Sequence, residues 1–211
     1  MKVIAFNGSP KENGNTATAI NAVAEQLRTL GVEVEILQVG NKAIRGCLAC
    51  GVCANNKDEK CVIKDDVVNE YFQKAKEADG IILSSPVYFS GIAGTMKSFL
   101  DRLFYVASAN GGVFRHKVGA NVVAVRRSGG VATFDGLNHY FLFAEMPIAS
   151  SNYWNVVHGK TPGESSQDLE GMQTMSVLGE KMAWLMKLIE NGAGTVEEPA
   201  RQTKIAMNFI R

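Results

Sequence analysis

The chain opens on an apolar run, Val3-Ile4-Ala5-Phe6, which breaks into Asn7-Gly8-Ser9-Pro10-Lys11-Glu12-Asn13-Gly14-Asn15-Thr16 and passes at once into a helical pattern. A strand handed to a helix by a short polar loop commits the backbone to a βα unit, and repetition of that unit dictates a parallel sheet. The same join can hold an anion. A loop rich in small residues lets backbone N–H groups approach a ligand, and the helix it feeds presents unpaired N–H groups and a positive dipole end. The hydroxyls of Ser9 and Thr16, the amide of Asn15 and the charge of Lys11 can complete such a cradle. The plainer alternative is a polar turn with an Asn or Thr cap.

Spacing removes several phosphate chemistries. Five residues separate Gly8 from Gly14 and Asn15 follows, whereas a Walker A loop needs four residues between its glycines and then Lys-Ser/Thr. The G-x-G-x-x-G dinucleotide fingerprint is absent, and the second apolar run ends in Gln38-Val39-Gly40 rather than in an acid that would hold a ribose. No Cys nucleophile or Arg stands between Asn7 and Thr16, as a phosphatase loop requires. A site that binds phosphate without cleaving it remains.

Hydrophobic periodicity repeats the βα unit along the chain. Strands are expected at about 2–6, 32–38, 80–84, 118–125 and 147–151, and helices at about 15–30, 66–78, 94–106, 134–145 and 168–190. Five strands alternating with helices predict an α/β fold, a parallel sheet covered on both faces. Gly31, Asp65-Asp66 and Gly111-Gly112 supply stop and cap signals. The expectation is one domain over 1–191 and a tail over 192–211, beginning as a linker and ending in apolar Ile205 to Ile210. That end either docks on the body or a neighbouring subunit, or frays.

Composition bounds the partners. With 211 residues, 46% hydrophobic, 20% charged and a formal net charge of +1, nothing argues for nucleic acid or an anionic membrane. The apolar run before Asn7 is only four residues long, and no apolar run approaches the roughly 20 residues of a membrane span, so a cytoplasmic protein is expected.

In an open α/β sheet the ligand lies beyond the carboxyl ends of the strands, where strand order reverses. There the third strand runs into Ser85-Pro86-Val87-Tyr88-Phe89-Ser90-Gly91, a turn with rigid, small and aromatic residues and no acid or base. Its backbone N–H groups suit the edge of a flat ring, and Tyr88 or Phe89 its face; alternatively the two aromatics are ordinary core. Arg126-Arg127-Ser128-Gly129-Gly130 leaves the fourth strand on the same edge, with small residues that permit close approach. Its arginines either are solvated charge or grip the extra phosphate of NADPH.

Gly8-Ser9-Pro10, Gly14-Asn15-Thr16, Ser85-Pro86-Val87-Tyr88-Phe89, Gly94-Thr95-Met96-Lys97, Phe99-Leu100-Asp101-Arg102 and Tyr153-Trp154-Asn155 with Gly159 together resemble the NADPH-dependent FMN reductase family and its iron-sulfur flavoprotein relatives. The resemblance covers nearly the whole chain in order. It implies a flavodoxin-like three-layer sandwich with strand order 2-1-3-4-5. It further implies FMN with its phosphate at Ser9, Lys11, Asn13, Asn15 and Thr16 and its ring at Pro86, Val87, Tyr88, Phe89, Ser90 and Gly91, a third contact being expected at Ser128, Gly129 and Gly130. Flavin sites shared across a homodimer or homotetramer are what the family implies.

Cys47, Cys50, Cys53 and Cys61 are separated by two, two and seven residues. In a reducing compartment, such a cluster suggests metal ligands or redox groups rather than disulfides. The spacing suits iron-sulfur ligation, although Val62 stands where a Pro usually follows the last Cys. It resembles the compact motif of the iron-sulfur flavoproteins, which implies a four-iron cluster. Zinc and free thiols stay open as alternatives.

The expected activity is transfer of electrons from NADPH or NADH to a small acceptor through bound FMN. With a cluster, the alternative is a relay between ferredoxin-like donors and an acceptor. His116, His139 and His158 read as structural or surface residues, and Asp101-Arg102 as a helix-surface pair. His139, Tyr140 and Tyr153-Trp154-Asn155 are candidates to line the open flavin face.

Overall fold

The computed structural model describes residues 1–205 and 207. Five strands form the main sheet, all parallel: β1 (Lys2–Asn7), β2 (Glu33–Gln38), β3 (Gly80–Tyr88), β5 (Val118–Val125) and β6 (Val156–His158), in the order β2-β1-β3-β5-β6. A two-residue strand, β4 (Gly91–Ile92), folds back antiparallel on β3. The chain goes from β1 to β2 on one side and then returns to place β3 on the other, so strand order reverses between β1 and β3. The order expected from the flavodoxin-like reading is the order found.

Alternation along the strands sorts side chains into two cores. Ile4, Phe6, Ile81 and Leu83 face α3 (Val68–Glu77), α4 (Gly94–Ala109) and α5 (Gly130–Phe143), where Phe72, Phe99, Phe104, Phe114 and Phe141 fill the layer. Val3, Ala5, Ile82, Ala120 and Val122 face α1 (Asn15–Thr29) and α6 (Leu169–Gly192). The glycines expected to end helices do so. Gly31 follows α1 at φ 82° and donates to the Arg28 carbonyl, and Gly111 and Gly112 follow α4 at φ 91° and 72°.

Three expectations require correction. The last strand is not at 147–151: Ile148 makes a single bridge to Gly119, the chain then leaves the sheet through Ser150-Ser151-Asn152, and the strand forms at Val156–His158. Pro147, which has no N–H, and the polar run explain why pairing cannot extend there. Helix α5 begins at Gly130 rather than near 134, because Gly129 takes φ 89° and turns the backbone directly into the helix. The flavin-loop segment Ser85–Tyr88 is still strand, and its turn contains only Phe89 and Ser90. A short helix, α2 (Val52–Asn56), also forms inside the cysteine loop.

Past α6, the Pro199 carbonyl accepts from Arg115 Nη2 at 2.6 Å and Glu198 lies 3.1 Å from His116 Nδ1, so this stretch of the tail rests on the body. Of the apolar end expected to dock, Ala206 and residues 208–210 lie outside the described residues. No helix among the described residues is long and apolar enough to cross a membrane.

The Phe141 ring is buried and lies where a Cβ on Gly119 would sit, at 2.6 Å, so the residue without a side chain on β5 and the ring on α5 fill one another's space. Phe141→Ala is expected to lower stability by about 3–5 kcal/mol, read from the chemical denaturation midpoint, with the slope unchanged.

Candidate functional site at the carboxyl edge of the sheet

Three loops meet at the carboxyl ends of β1, β3 and β5. The first is anchored by its own polar residues: the Gly8 amide donates to the Ser84 carbonyl at 3.0 Å, the Ser9 amide to Asn7 Oδ1 at 3.0 Å, and the Lys11 amide to Ser9 Oγ at 3.1 Å. Ser9 and Thr16 are buried, and Lys11 and Asn13 are exposed above them. Gly14 caps α1 without a side-chain hydrogen bond, and the first turn holds no acid. The N-terminal amides of α1 are therefore left to an anion, the arrangement a phosphate fits. Asn15 has a second part besides the one expected. Its Oδ1 accepts from the Ser165 amide at 3.1 Å, so its carbonyl oxygen ties the loop after β6 to the cradle, and only its NH2 group remains to donate.

Residues outside the loop hold it in shape. Gln38 Oε1 accepts from Asn7 Nδ2 at 2.8 Å, and Gln38 Nε2 donates to the Ser9 carbonyl. Gly40 passes so close that a Cβ there would lie 2.2 Å from the Ser9 carbonyl carbon. Ser165 joins this support. The available signal for Gln38 and Gly40 was their position just beyond the second apolar run, one strand away from the loop; nothing in the sequence singled out Ser165.

The second loop is a tight hairpin. Val87 pairs with Ile92 and Tyr88 with Gly91, leaving Phe89 at φ 48° and Ser90 at φ 59° as the central residues. Two-residue turns with positive φ at both centres ordinarily carry Asn-Gly or Gly-Gly, so Phe-Ser holds this backbone under strain. Neither aromatic is spent on the core: Tyr88 is 48% and Phe89 108% exposed. Pro86 and Val87 are half-buried beneath them.

The third loop touches the second. A Cβ on Gly129 would lie 2.8 Å from Ser90 Cα and from Val87 Cγ1, so only glycine lets the loops close up. Helix α5 then starts at Gly130 with no side-chain cap and no acid in its first turn. Beside it opens a cavity of about 610 Å³ whose wall includes Arg127, Ser128, Gly129, Gly130, Tyr153 and Trp154. Tyr153 and Trp154 meet edge to face at 4.5 Å. Of the two arginines, Arg127 lines this cavity and Arg126 is exposed outside its wall. The residues considered for the flavin face are divided: Tyr153 and Trp154 stand here, whereas His139 and Tyr140 line a separate cavity of about 270 Å³ with Asp101, Phe104, Tyr105 and Phe143. Burial, together with the hydrogen bond to Asp101, pushes the Tyr140 phenol far above its usual range.

The cysteine loop lies along α4. Cys47, Cys50, Cys53 and Cys61 line one small cavity with Leu48, Val62, Ile63, Tyr105 and Arg102. Cys53 is buried, Cys61 is half-buried, and Cys47 and Cys50 are exposed. Burial pushes the Cys53 thiol up, and the sulfurs of Cys61, Cys47 and Cys50 push it the same way. Four thiols on the wall of one cavity fit a metal-sulfur cluster by donor set. Among the described residues, no three His, Cys, Asp or Glu side chains converge on a point that one metal ion would occupy.

Arg102 overturns the expected surface pair. Its side chain is 0% exposed, and it pairs not with Asp101 but with Asp66, itself 5% exposed, through both carboxylate oxygens. Although burial works against the charge, the hydrogen bonds that Arg102 donates to Asp66 and Cys61 keep its pKa raised. Asp101 pairs with Lys97 instead. Asp66 also accepts from the Val68 amide at 3.1 Å, but the N-cap of α3 is Val67, with no side-chain capping bond, so neither Asp65 nor Asp66 is the cap residue expected there.

Residues 1–161 match the NADPH-dependent FMN reductase family. An iron-sulfur flavoprotein of Methanocaldococcus jannaschii is 38% identical over 201 residues, covering 90% of this chain and 100% of that protein. The chain belongs to the NADPH-dependent FMN reductase family, in its iron-sulfur flavoprotein branch. Another iron-sulfur flavoprotein, from Methanosarcina thermophila, is 30% identical over 192 residues, covering 90% of this chain and 97% of that one. RosB, solved with bound 8-demethyl-8-formylriboflavin-5'-phosphate, superposes with a TM-score of 0.72 at 12% identity, over 100% of this chain and 93% of RosB. An archaeal flavodoxin superposes with a TM-score of 0.58 at 16% identity, over 89% of this chain and 99% of that one. These last two show the flavodoxin-like fold alone. Membership of this family makes the chain an FMN-dependent oxidoreductase.

Gly40→Ala forces the Ser9 carbonyl away from its position. Overpacking of this kind costs about 1–3 kcal/mol, so the FMN dissociation constant is expected to rise about tenfold to a hundredfold, measured by fluorescence titration of the apoprotein.

Proposed function

We propose that this protein passes electrons from a reduced donor to a small acceptor through FMN, and that its cysteine loop supplies a four-iron cluster as the one-electron entry. The single observation that carries this reading is the cavity that Cys47, Cys50, Cys53 and Cys61 share, with a buried guanidinium on its wall. Two relatives named iron-sulfur flavoprotein support it.

Bound FMN supplies an isoalloxazine that takes electrons singly or in pairs, which is what joins a one-electron donor to a two-electron acceptor. The uncapped first turn of α1 and the Ser9 and Thr16 hydroxyls would hold its phosphate, with Lys11 and Asn13 closing over it. The Phe89–Ser90 hairpin and the Ser128–Gly130 turn would present backbone amides to the ring edge, with Tyr88 or Phe89 against its face. Tyr153 and Trp154 would exclude water from the acceptor's side of the cavity. The cysteines would hold the cluster as four thiolates. Where NADPH or NADH instead reduces FMN directly, alternation of donor and acceptor over one surface gives ping-pong kinetics. A ferredoxin-like protein is the fitting one-electron donor, and homodimers or homotetramers are the expected assembly.

Anaerobically purified protein is expected to contain about four irons and four acid-labile sulfides per chain alongside FMN. Iron and sulfide absent from anaerobically reconstituted protein contradict the relay.

A second reading, direct reduction by NADPH or NADH, is favoured by Arg127 on the wall of the large cavity, where a guanidinium would face the extra phosphate of NADPH. If so, Arg127→Ala raises the KM for NADPH about tenfold and leaves that for NADH unchanged. Steady-state kinetics in which both change equally, or neither does, contradict that role.

A further inference from the structure

Arg102 is the largest fully buried side chain of the described core, and every donor group of its guanidinium is directed at the cysteine loop. Nε donates to Cys61 Sγ at 3.3 Å. Nη1 donates to the Arg45 carbonyl at 3.3 Å and to Asp66 Oδ2, and Nη2 to the Ile63 carbonyl at 3.3 Å and to Asp66 Oδ1 at 3.1 Å. One side chain therefore fastens the segment before Cys47, the last cysteine and the segment after it to α4. Helix α4 itself starts two residues beyond the flavin hairpin, and Arg102 stands eight residues along it, about 12 Å from Gly94 by helix rise.

The cost of this burial needs an explanation. A buried charge must be paired, and Asp66 pairs it, yet a well-packed apolar residue in place of such an ion pair is often neutral or stabilising. What an apolar residue does not provide is an N–H directed at a sulfur atom. Hydrogen bonds to ligand sulfurs and net charge near a cluster are among the factors that set its reduction potential.

We propose that Arg102 is the positioning residue of the cysteine loop, orienting the Cys61 sulfur on the cavity wall and setting the potential of the cluster held there. This rests on the cluster reading above. Arg102 touches neither flavin nor acceptor; it acts through Cys61. Asp66 tunes the same effect by neutralising the guanidinium.

The two residues give opposite signs. Arg102→Lys keeps the positive charge and loses the planar fork and the Nε–H bond to sulfur, so the midpoint potential of the cluster should fall. Asp66→Asn leaves the guanidinium bond to Cys61 and removes the compensating negative charge, so the potential should rise. Both are measured on anaerobically reconstituted full-length protein by EPR-monitored redox titration, with iron per chain assayed and the flavin potential followed in the same samples. The proposal is supported by opposed shifts of the cluster potential with the flavin potential unchanged. Loss of iron from Arg102→Lys with FMN retained also supports it. Full iron content with an unchanged cluster potential in both variants overturns it. If Arg102→Lys does not fold, Asp66→Asn decides alone, and an unshifted or lowered potential overturns the proposal. Wild-type protein that takes up no iron overturns the cluster reading first and this inference with it, an outcome that the iron assay separates from an unshifted potential.

Discussion

The hydrogen bond from the Gly8 amide to the Ser84 carbonyl closes the seam between β1 and β3, and the site depends on that seam. It lies where the strand order reverses, so the loops leaving the two strands diverge and open a crevice at the carboxyl edge of the sheet. Ser84 Oγ donates back to the Phe6 carbonyl across the same seam. Neither loop has room to move independently: a Cβ on Gly8 would lie 2.5 Å from the Ser84 carbonyl oxygen. The loop after β1 and the Phe89–Ser90 hairpin are therefore placed by the sheet rather than by their own conformational preferences.

From this seam two kinds of preorganisation extend. On one side, the helix start of α1 is left uncapped, and Asn7, Gln38, Gly40 and Ser165 hold the loop around it at the expense of other uses of their polar groups. On the other, the hairpin keeps two non-glycine residues at positive φ, pressed against Gly129. Strain of this kind persists only where surrounding structure over-determines it, and it puts Phe89 fully into solvent at the mouth of the crevice. The cysteine loop is fixed separately, through the buried guanidinium on α4, the helix that begins where the hairpin ends.

Much of this was legible in the sequence because it follows from local periodicity. The βα repeat depends on residues close together in the chain, whereas the strand order was what the family resemblance implied. What was not legible depends on contacts between distant residues. Asp101-Arg102 read as a surface pair because adjacent opposite charges on a helix usually are; Asp66, 36 residues away, decides otherwise. Asn15 read as a phosphate ligand, and the tie of its carbonyl oxygen to Ser165, 150 residues away, was not visible beside that reading. The last strand was misplaced because the chain meets β5 twice, as a single bridge at Ile148 and as a strand at Val156–His158, and only the contacts with β5 show where the pairing continues.

If the uncapped start of α1 and its loop grip a phosphate at the switch point, the protein must bind FMN more tightly than riboflavin. The two ligands share the ring and differ in the phosphate. Titration of the apoprotein with each should give FMN a dissociation constant at least about 100-fold lower, about 2.7 kcal/mol of binding free energy attributable to the phosphate. Equal affinities for the two would contradict the account.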